Sequence, residues 1–279
     1  MNDITAILKA HGFTFNRKLG QNFLVNPSVC PRMASLCGAT TADGVLEIGP
    51  GAGVLTRELC RIAKKVVAIE LDDRLPPVLT QVLAGFENYT LVMGDALNMD
   101  LHSVLSEHFA DCERIYVCAN LPYYITSPLL MKLLEERLPI AAVTAMVQKE
   151  AATRLCAPQG ARDGGAVTCA VQYYAVPEIL FSVSRGSFLP PPNVDSAVIR
   201  LALREAPPVC VADEAFFFRI IKAAFGQRRK TLCNALAAGL SRPKTDIEAA
   251  LLSAGISPNA RGEELRLADF AHIADQLQA

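Results

Sequence analysis

The chain has 279 residues, of which 51% are hydrophobic and 20% are charged, so it can form a folded core and is not a disordered polypeptide. Its 27 basic and 28 acidic residues nearly cancel to a net charge of −1, which argues against a polycationic nucleic-acid binder. The nine cysteines form no C-x-x-C pair and the four histidines are scattered, so we expect neither a disulfide framework nor a metal site. Neither a signal peptide nor an apolar run of about 18 residues is present in the sequence, so we expect a cytoplasmic protein.

Short apolar runs alternate with helix-length segments between residues 27 and 150. This alternation is typical of a parallel sheet that has helices on both faces. The runs predict strands at 45–48, 65–71, 89–93, 114–119 and 142–147, with helices at 52–62, 74–84, 101–109 and 127–137. Two more strands, predicted at 167–183 and 195–203, are joined by a proline-rich loop with no helix between them, which favours an antiparallel hairpin.

The composition changes after Arg204, where a proline-containing linker begins. The helical patterns that follow are separated by glycine and proline and predict a small all-α region, with helices near 213–225, 229–239, 244–254 and 265–277. We therefore predict two domains, 1–204 and 205–279.

A glycine-rich turn follows the first predicted strand, where residues 45–53 read V-L-E-I-G-P-G-A-G. Glycines there allow a tight turn and a close approach of ligand to backbone, at Gly49 and Gly51. Glu70 ends the next strand, where an acid can bind two ribose hydroxyls. Asp95, in Gly94-Asp95-Ala96, follows the third strand and can accept a hydrogen bond from an exocyclic amine. Each signal alone also fits an ordinary loop, but together they predict nucleoside binding.

The cofactor suggested by this turn is S-adenosylmethionine rather than a dinucleotide such as NAD. Dinucleotide binders use G-x-G-x-x-G to place a pyrophosphate at a helix N-terminus, whereas here the third glycine comes one residue early and Pro50 occupies the turn. Glu47 is also badly placed for a diphosphate but suits a cationic sulfonium.

The fourth strand ends in Asn120-Leu121-Pro122-Tyr123. The amide oxygen of Asn120 and the carbonyl of Leu121 could both accept N–H bonds from an adenine amine, which would localise its lone pair and aim it at a methyl group. Tyr123 could stack on the base, a contact that contributes about 1–3 kcal/mol. Phe188 is the candidate for a second stacking residue, although a hydrophobic anchor for its proline-rich loop is an equally good interpretation.

These motifs together resemble the ribosomal RNA adenine N6,N6-dimethyltransferase family, and the match extends over almost the whole chain. The matching segments are G-Q-N-F-L at 20–24, E-I-G-P-G-A-G at 47–53, Glu70, G-D-A at 94–96, N-L-P-Y at 120–123, M-V-Q-K-E at 146–150, F-x-P-x-P-x-V-x-S at 188–196 and F-G-Q-R-R-K at 225–230. One departure is Gly164, where the family usually has tyrosine.

The resemblance implies a Rossmann-like class I S-adenosylmethionine-dependent methyltransferase domain with a seven-stranded, mostly parallel sheet, followed by a helical domain that binds rRNA or the ribosome. It implies that Asn22 and Leu24 line the methionine end of the cofactor and that Gly49 contacts it by backbone. Glu70 would bind the ribose, Asp95 with Ala96 the adenine, and Asn120 both the cofactor and the target amine. The implied reaction adds two methyls to each of two adjacent adenosines near the 3′ end of 16S rRNA, in the assembling 30S subunit.

Basic residues concentrate around one predicted helix boundary, at Lys222, Arg228, Arg229 and Lys230. Alone they would be interpreted as a solvated face, but the resemblance favours contacts with RNA phosphates. Candidates for the same role elsewhere in the chain are Arg17, Lys18, Lys149 and Arg154.

Three alternatives remain open at this point: the related large-subunit rRNA methyltransferase that confers macrolide resistance, an assembly factor that uses the fold mainly to bind, and NAD-dependent chemistry. The four C-terminal helices favour the small-subunit branch. We expect the protein to be monomeric and not to bind membranes.

Overall fold

The computed structural model describes residues 4–13, 22–227 and 229–278. The chain divides into two compact units, Met1–Ala152 with Val176–Leu203, and Thr153–Ala175 with Arg204–Ala279. The division at 203/204 lies one residue from the predicted boundary. The predicted 1–204 domain, however, also contained 153–175, which groups with the C-terminal helices.

A seven-stranded sheet forms the centre of the first unit, with strand order β4-β3-β2-β5-β6-β9-β7. The strands from β2 to β6 run parallel, and β9 pairs antiparallel with β6. A separate two-stranded ribbon joins β1 and β8. The strands are β1 (Phe23–Leu24), β2 (Gly44–Ile48), β3 (Lys65–Glu70), β4 (Tyr89–Met93), β5 (Ile115–Asn120), β6 (Ala142–Gln148), β7 (Ala175–Val183), β8 (Phe188–Leu189) and β9 (Ser196–Leu203).

Helices connect the parallel strands, as the alternating sequence pattern predicts. Those before β6 are α1 (Ile4–Ala10), α2 (Val29–Leu36), α3 (Val54–Cys60), α4 (Pro76–Val82), α5 (Leu101–His108) and α6 (Thr126–Glu135), and α7 (Lys149–Leu155) follows β6. All five residues of β2 are buried, because a parallel strand in the centre of such a sheet is covered on both faces. On one face, Val45 and Cys118 belong to the same apolar cluster as Met33 of α2 and Leu59 of α3.

The parallel register brings the carboxyl ends of neighbouring strands to one edge of the sheet. Ile48 at the end of β2 pairs with Ile69, and Glu70 at the end of β3 pairs with Met93. Loops that follow these strands therefore meet at this edge, which is where open α/β sheets bind ligands.

One predicted strand is wrong in part. Residues 167–174 of the strand predicted at 167–183 belong to helix α8 (Ala166–Tyr174), and only 175–183 are extended. The helix begins after Gly165, whose backbone amide donates to the Thr168 hydroxyl at 2.9 Å. A short apolar run has no periodicity that separates a buried strand from a buried helix, so this residue pattern fits both.

The second unit is helical, as predicted, and has its own apolar core. It contains α8, α9 (Glu214–Phe225), α10 (Leu232–Leu240), α11 (Lys244–Ser253) and α12 (Leu267–Gln278). Phe217, Leu236 and Phe270 lie in its core. Near its start, a Cβ added to Gly164 would lie 2.9 Å from the carbonyl oxygen of Ala161, so this turn has no room for the family's usual tyrosine without a shift.

Within the described ranges, no helix has the length and apolar character needed to span a bilayer.

Candidate active site

A cavity of about 230 Å³ lies at the carboxyl edge of the sheet in the first unit. It is lined by every residue that the sequence assigns to the cofactor or the target amine: Asn22, Leu24, Gly49, Gly51, Glu70, Asp95, Ala96, Asn120, Leu121, Pro122, Tyr123 and Phe188. The loops after β2, β3, β4 and β5 therefore converge on one space, as the parallel sheet predicts.

The glycine-rich turn between β2 and α3 has a backbone conformation that residues other than glycine rarely adopt. Gly49, Gly51 and Gly53 have φ of 71°, 56° and 77°, all in the left-handed region. A Cβ at Gly49 would meet no atom within 4 Å, so the space beside this residue is open. The turn thus leaves room for a ligand to approach the peptide backbone.

Glu70 is held in place by three backbone amides. Its Oε2 accepts from the Gly51 amide at 3.1 Å, and its Oε1 accepts from Leu71 and Asp72 at 2.9 and 2.8 Å. Burial raises the pKa of this carboxyl, and the three amide donors oppose that rise. Oε1 already accepts two bonds and Oε2 accepts one, so Oε2 keeps an acceptor site for a hydroxyl donor.

Glu47 is the second carboxyl at this edge, one residue before the end of β2. It lines the cavity and is only 1% exposed. Burial raises the pKa of Glu47 to about 8, and the neighbouring Glu70 adds to that rise. With Asp95, three acids therefore border one cavity, which favours a ligand that carries positive charge.

Asp95 begins the turn after β4 and is fixed by that turn. Its Oδ1 accepts from the Leu97 amide at 2.9 Å, and its Oδ2 accepts from Asn98 Nδ2 at 2.7 Å. The carboxylate still has lone pairs for an exocyclic amine.

Asn120 is the last residue of β5 and lies at the cavity wall, half-buried. Its side-chain amide has no hydrogen-bond partner in the described part of the chain, so it is available to a ligand. The Leu121 amide donates to the Met146 carbonyl at 3.3 Å, which ties the start of the N-L-P-Y loop to β6. Cys118, two residues earlier, is fully buried and does not line the cavity, as a strand interior predicts.

Tyr123 is anchored by a residue 73 positions away. Its hydroxyl lies 2.8 Å from the hydroxyl of Ser196, which is fully buried at the start of β9. The N-L-P-Y and F-x-P-x-P-x-V-x-S motifs, which the sequence treats separately, are therefore joined by a hydrogen bond.

Phe188 lies in β8 opposite Leu24, borders the cavity and is 4% exposed. Its ring also belongs to the apolar cluster of the first unit. The burial of Phe188 supports its interpretation as a hydrophobic anchor. Its position at the cavity wall also meets the requirement for a residue that stacks on the base.

Sequence reasoning missed several residues that border the cavity. Phe23 and Tyr124 sit directly beside predicted site residues, so the motifs could have indicated them. Met33 and Cys30 come from α2, which carries no motif, and only the fold brings them to the cavity. The missed set includes Phe23, Cys30, Met33, Val54, Leu55, Ile69, Leu71, Leu75, Leu97, Tyr124, Ile125 and Met146.

The basic residues assigned to RNA occupy exposed positions in both units. Lys149 is in the first unit, whereas Arg154, Lys222, Arg229 and Lys230 are in the second. Lys222 is in the last turn of α9, where a cation also complements the helix dipole. Arg17, Lys18 and Arg228 lie outside the described residues.

The residues at this cavity fit S-adenosylmethionine. The open backbone at Gly49 admits a ligand, Glu70 and Asp95 have acceptors for ribose and adenine donors, and the buried acid Glu47 suits a cation. A diphosphate would instead meet three carboxyls.

Comparisons with known proteins show which proteins this chain is similar to. Ribosomal RNA small subunit methyltransferase A of Anoxybacillus flavithermus is 48% identical over 97% of this chain and 93% of its own length. The enzyme of the same name from Geobacillus thermodenitrificans is also 48% identical, over 97% and 94%. Among solved structures, a dimethyladenosine transferase from Plasmodium falciparum has a TM-score of 0.74 at 26% identity and covers 90% of this chain and 95% of that one. The 23S rRNA methyltransferase ErmE has a TM-score of 0.70 at 27% identity, over 92% and 100%.

Residues 12–279 match the family described as ribosomal RNA adenine dimethylase. That match takes in both units and every motif that lines the cavity. The chain therefore belongs to the ribosomal RNA adenine dimethylase family.

Proposed function

We propose that this protein uses S-adenosylmethionine to add two methyls to each of two adjacent adenosines near the 3′ end of 16S rRNA. The observation that carries the proposal is the convergence of Glu70, Asp95 and Asn120 on one cavity. The relatives named for small-subunit methylation, 48% identical over nearly the full length, support the choice of 16S over 23S rRNA.

The cofactor would lie along the carboxyl edge of the sheet. Glu70 would receive the ribose hydroxyls, because its carboxylate is already oriented by three amides. Asp95 and Ala96 would hold the adenine, and Asn22 with Leu24 would border the methionine end. The cofactor supplies an activated methyl on a sulfonium, and the protein places the acceptor in line with it.

The target adenine would enter between Asn120 and the aromatic residues. The Asn120 amide oxygen and the Leu121 carbonyl would accept the two N–H bonds of the exocyclic amine, which raises electron density on nitrogen in the direction of the methyl. Tyr123, and the part of Phe188 that faces the cavity, would hold the ring. Fixed dipoles of this kind lower a barrier without a covalent intermediate or a metal.

The exposed cations would bind RNA phosphates. We assign this role to Lys149 in the first unit and to Arg154, Lys222, Arg229 and Lys230 in the second, with Arg17, Lys18 and Arg228 from the same motifs. The helical region 205–279 would then serve to bind rRNA or the ribosome. We further propose that the protein acts as a monomer, in the cytoplasm, on the assembling 30S subunit.

The decisive experiment incubates undermethylated 30S subunits with the protein and S-adenosylmethionine and maps the methyls by mass spectrometry. We expect two dimethyladenosines next to each other near the 3′ end of 16S rRNA. Methylation of 23S rRNA alone would overturn the small-subunit assignment. Full rescue of 30S assembly by Asn120→Ala without methylation would show that binding is the main function instead.

A further inference from the structure

Glu47 has a buried oxygen that no group in the described chain satisfies. Its Oε2 has no hydrogen-bond partner among the described residues, although the residue lines the cavity and is 1% exposed. A buried carboxylate without a partner is strongly unfavourable, so such a group either holds a proton or awaits a ligand. Glu70, in contrast, has three amide donors.

Among the residues that the structure describes, no cation is recorded as interacting with Glu47. The ionisable groups that interact with it are Glu70 of β3, Cys30 of α2, Cys60 of α3, Tyr89 of β4 and Cys118 of β5. Of these groups none is a cation; the neighbouring Thr56 hydroxyl opposes the rise in the pKa of Glu47, and the buried Tyr89 hydroxyl has no partner in the described residues. Burial accordingly raises the pKa of Glu47 to about 8, so the free protein carries it largely protonated at neutral pH.

The cofactor and its product differ in one respect that such a group can detect. S-adenosylmethionine and S-adenosylhomocysteine carry the same amino-acid zwitterion and the same nucleoside, but only the first has a sulfonium charge. An ion in a low-dielectric cavity acts strongly on a nearby carboxyl.

We propose that Glu47 is the charge-sensing residue of the cavity: it holds a proton in the free protein, releases it to solvent when the sulfonium cofactor binds, and so favours cofactor over product. After methyl transfer the sulfur becomes a neutral thioether, and Glu47 takes a proton back from solvent. The cavity then binds the product, S-adenosylhomocysteine, less favourably than it bound the cofactor. The inference rests on the proposed function, because it requires the cofactor to occupy this cavity.

Proton linkage gives the quantitative consequence. Below the pKa of free Glu47, a ligand that requires the ionised form binds up to about tenfold more tightly for each unit of pH, with release of up to one proton. S-adenosylhomocysteine lacks the extra charge, so its affinity depends less on pH.

The experiment is isothermal titration calorimetry of both ligands between pH 6.5 and 8, in two buffers of different ionisation enthalpy. We expect wild-type protein to release more protons with S-adenosylmethionine than with S-adenosylhomocysteine. The ratio of their Kd values should move in favour of the cofactor by severalfold per pH unit. In Glu47→Gln both differences should vanish, whereas Glu58→Gln, which changes an acid that is paired with Arg61 outside the cavity, should keep them.

Equal proton release with the two ligands in wild-type protein would overturn the inference, as would an unchanged difference in Glu47→Gln. Glu47→Met, of similar volume and without the polar group, is the second variant if the glutamine form does not fold. Failure of wild-type protein to bind either ligand would contradict the proposed function instead, so the two failures are distinguishable.

Discussion

The backbone amide of Gly51 donates to Oε2 of Glu70 at 3.1 Å, which ties the glycine-rich turn after β2 to the acid that ends β3. The hydrogen bond thereby fixes the parallel strands β2 and β3 to each other at the edge where the cavity opens. The same bond orients the carboxylate that we assign to the ribose.

Glu70→Gln should weaken binding of S-adenosylmethionine. Glutamine keeps the shape but loses the charge, and its Nε2 cannot accept from an amide. Since a hydrogen bond to a charged group contributes about 1.5–3 kcal/mol, Kd should rise roughly 10- to 100-fold. Calorimetry measures this, with Asp73→Asn as a control on an exposed acid three residues later. Equal effects of both changes would contradict the assignment of Glu70.

Asn120→Ala should reduce kcat by about 10²-fold or more, because removal of one fixed dipole at a reacting group typically has that effect. The loss in kcat should exceed the change in Kd for S-adenosylhomocysteine. Single-turnover methylation of 30S subunits gives the first quantity and calorimetry the second. A variant that lost cofactor binding alone would place Asn120 at the cofactor and not at the target amine.

Tyr123 and Ser196 should be energetically coupled. Either Tyr123→Phe or Ser196→Ala leaves a buried hydroxyl unpaired, which costs about 1–3 kcal/mol, whereas the double variant leaves none. The double variant should therefore be less destabilised than the sum of the two single variants. Urea unfolding of all four proteins completes the cycle, and strict additivity would show that the 2.8 Å contact has no energetic role.

Glu214 should stabilise the helical unit through two tyrosines. Its Oε2 and Oε1 accept from the hydroxyls of Tyr173 and Tyr174 at 2.9 and 3.0 Å, which ties α9 to the end of α8. Glu214→Ala removes both acceptors, and since a hydrogen bond to a charged group contributes about 1.5–3 kcal/mol, it should destabilise the unit by about that amount for each bond lost. Tyr174→Phe removes only one bond and should cost less. Thermal unfolding compares them, and a larger loss in Tyr174→Phe would contradict this account.

The stability of the free protein should depend on pH through Glu47. A glutamate in the unfolded chain titrates near 4.3, whereas Glu47 in the folded protein titrates at about 8. The folded state therefore binds more protons between these values, and the free energy of unfolding should fall as pH rises through this window. Glu47→Gln should flatten that part of the profile and be the more stable protein at pH 8. Parallel profiles for the two proteins would show that Glu47 is ionised already.

The sequence predicted the elements whose patterns have a clear period or a clear boundary. The five strands predicted before residue 150 and the four C-terminal helices all appear near their predicted positions. Residues 167–174 fit the strand predicted at 167–183 because they are mostly apolar, yet they are helical. The short ribbon of β1 and β8 has no sequence signal because two residues carry no periodicity.

Some features of the site can likewise be predicted from the sequence, and others depend on the fold. Glycines and acids at strand ends are visible in the sequence, since parallel strands place their carboxyl ends together. The bond between Tyr123 and Ser196 is not visible, because it depends on the antiparallel pairing of β9 with β6. Nor does the sequence show that Glu47 has an unsatisfied oxygen, which only the full set of neighbours reveals.

The ribbon formed by β1 and β8 forms part of the cavity wall. It pairs Phe23 with Leu189 and Leu24 with Phe188, and three of these four residues border the cavity. Four methyl transfers to one rRNA require four fresh cofactors, so spent product must leave the cavity repeatedly while the RNA is still being modified. A ribbon of two residues per strand is the least costly part of a β structure to separate. Replenishment of the cofactor without release of the rRNA would thus depend on the smallest pairing in the fold.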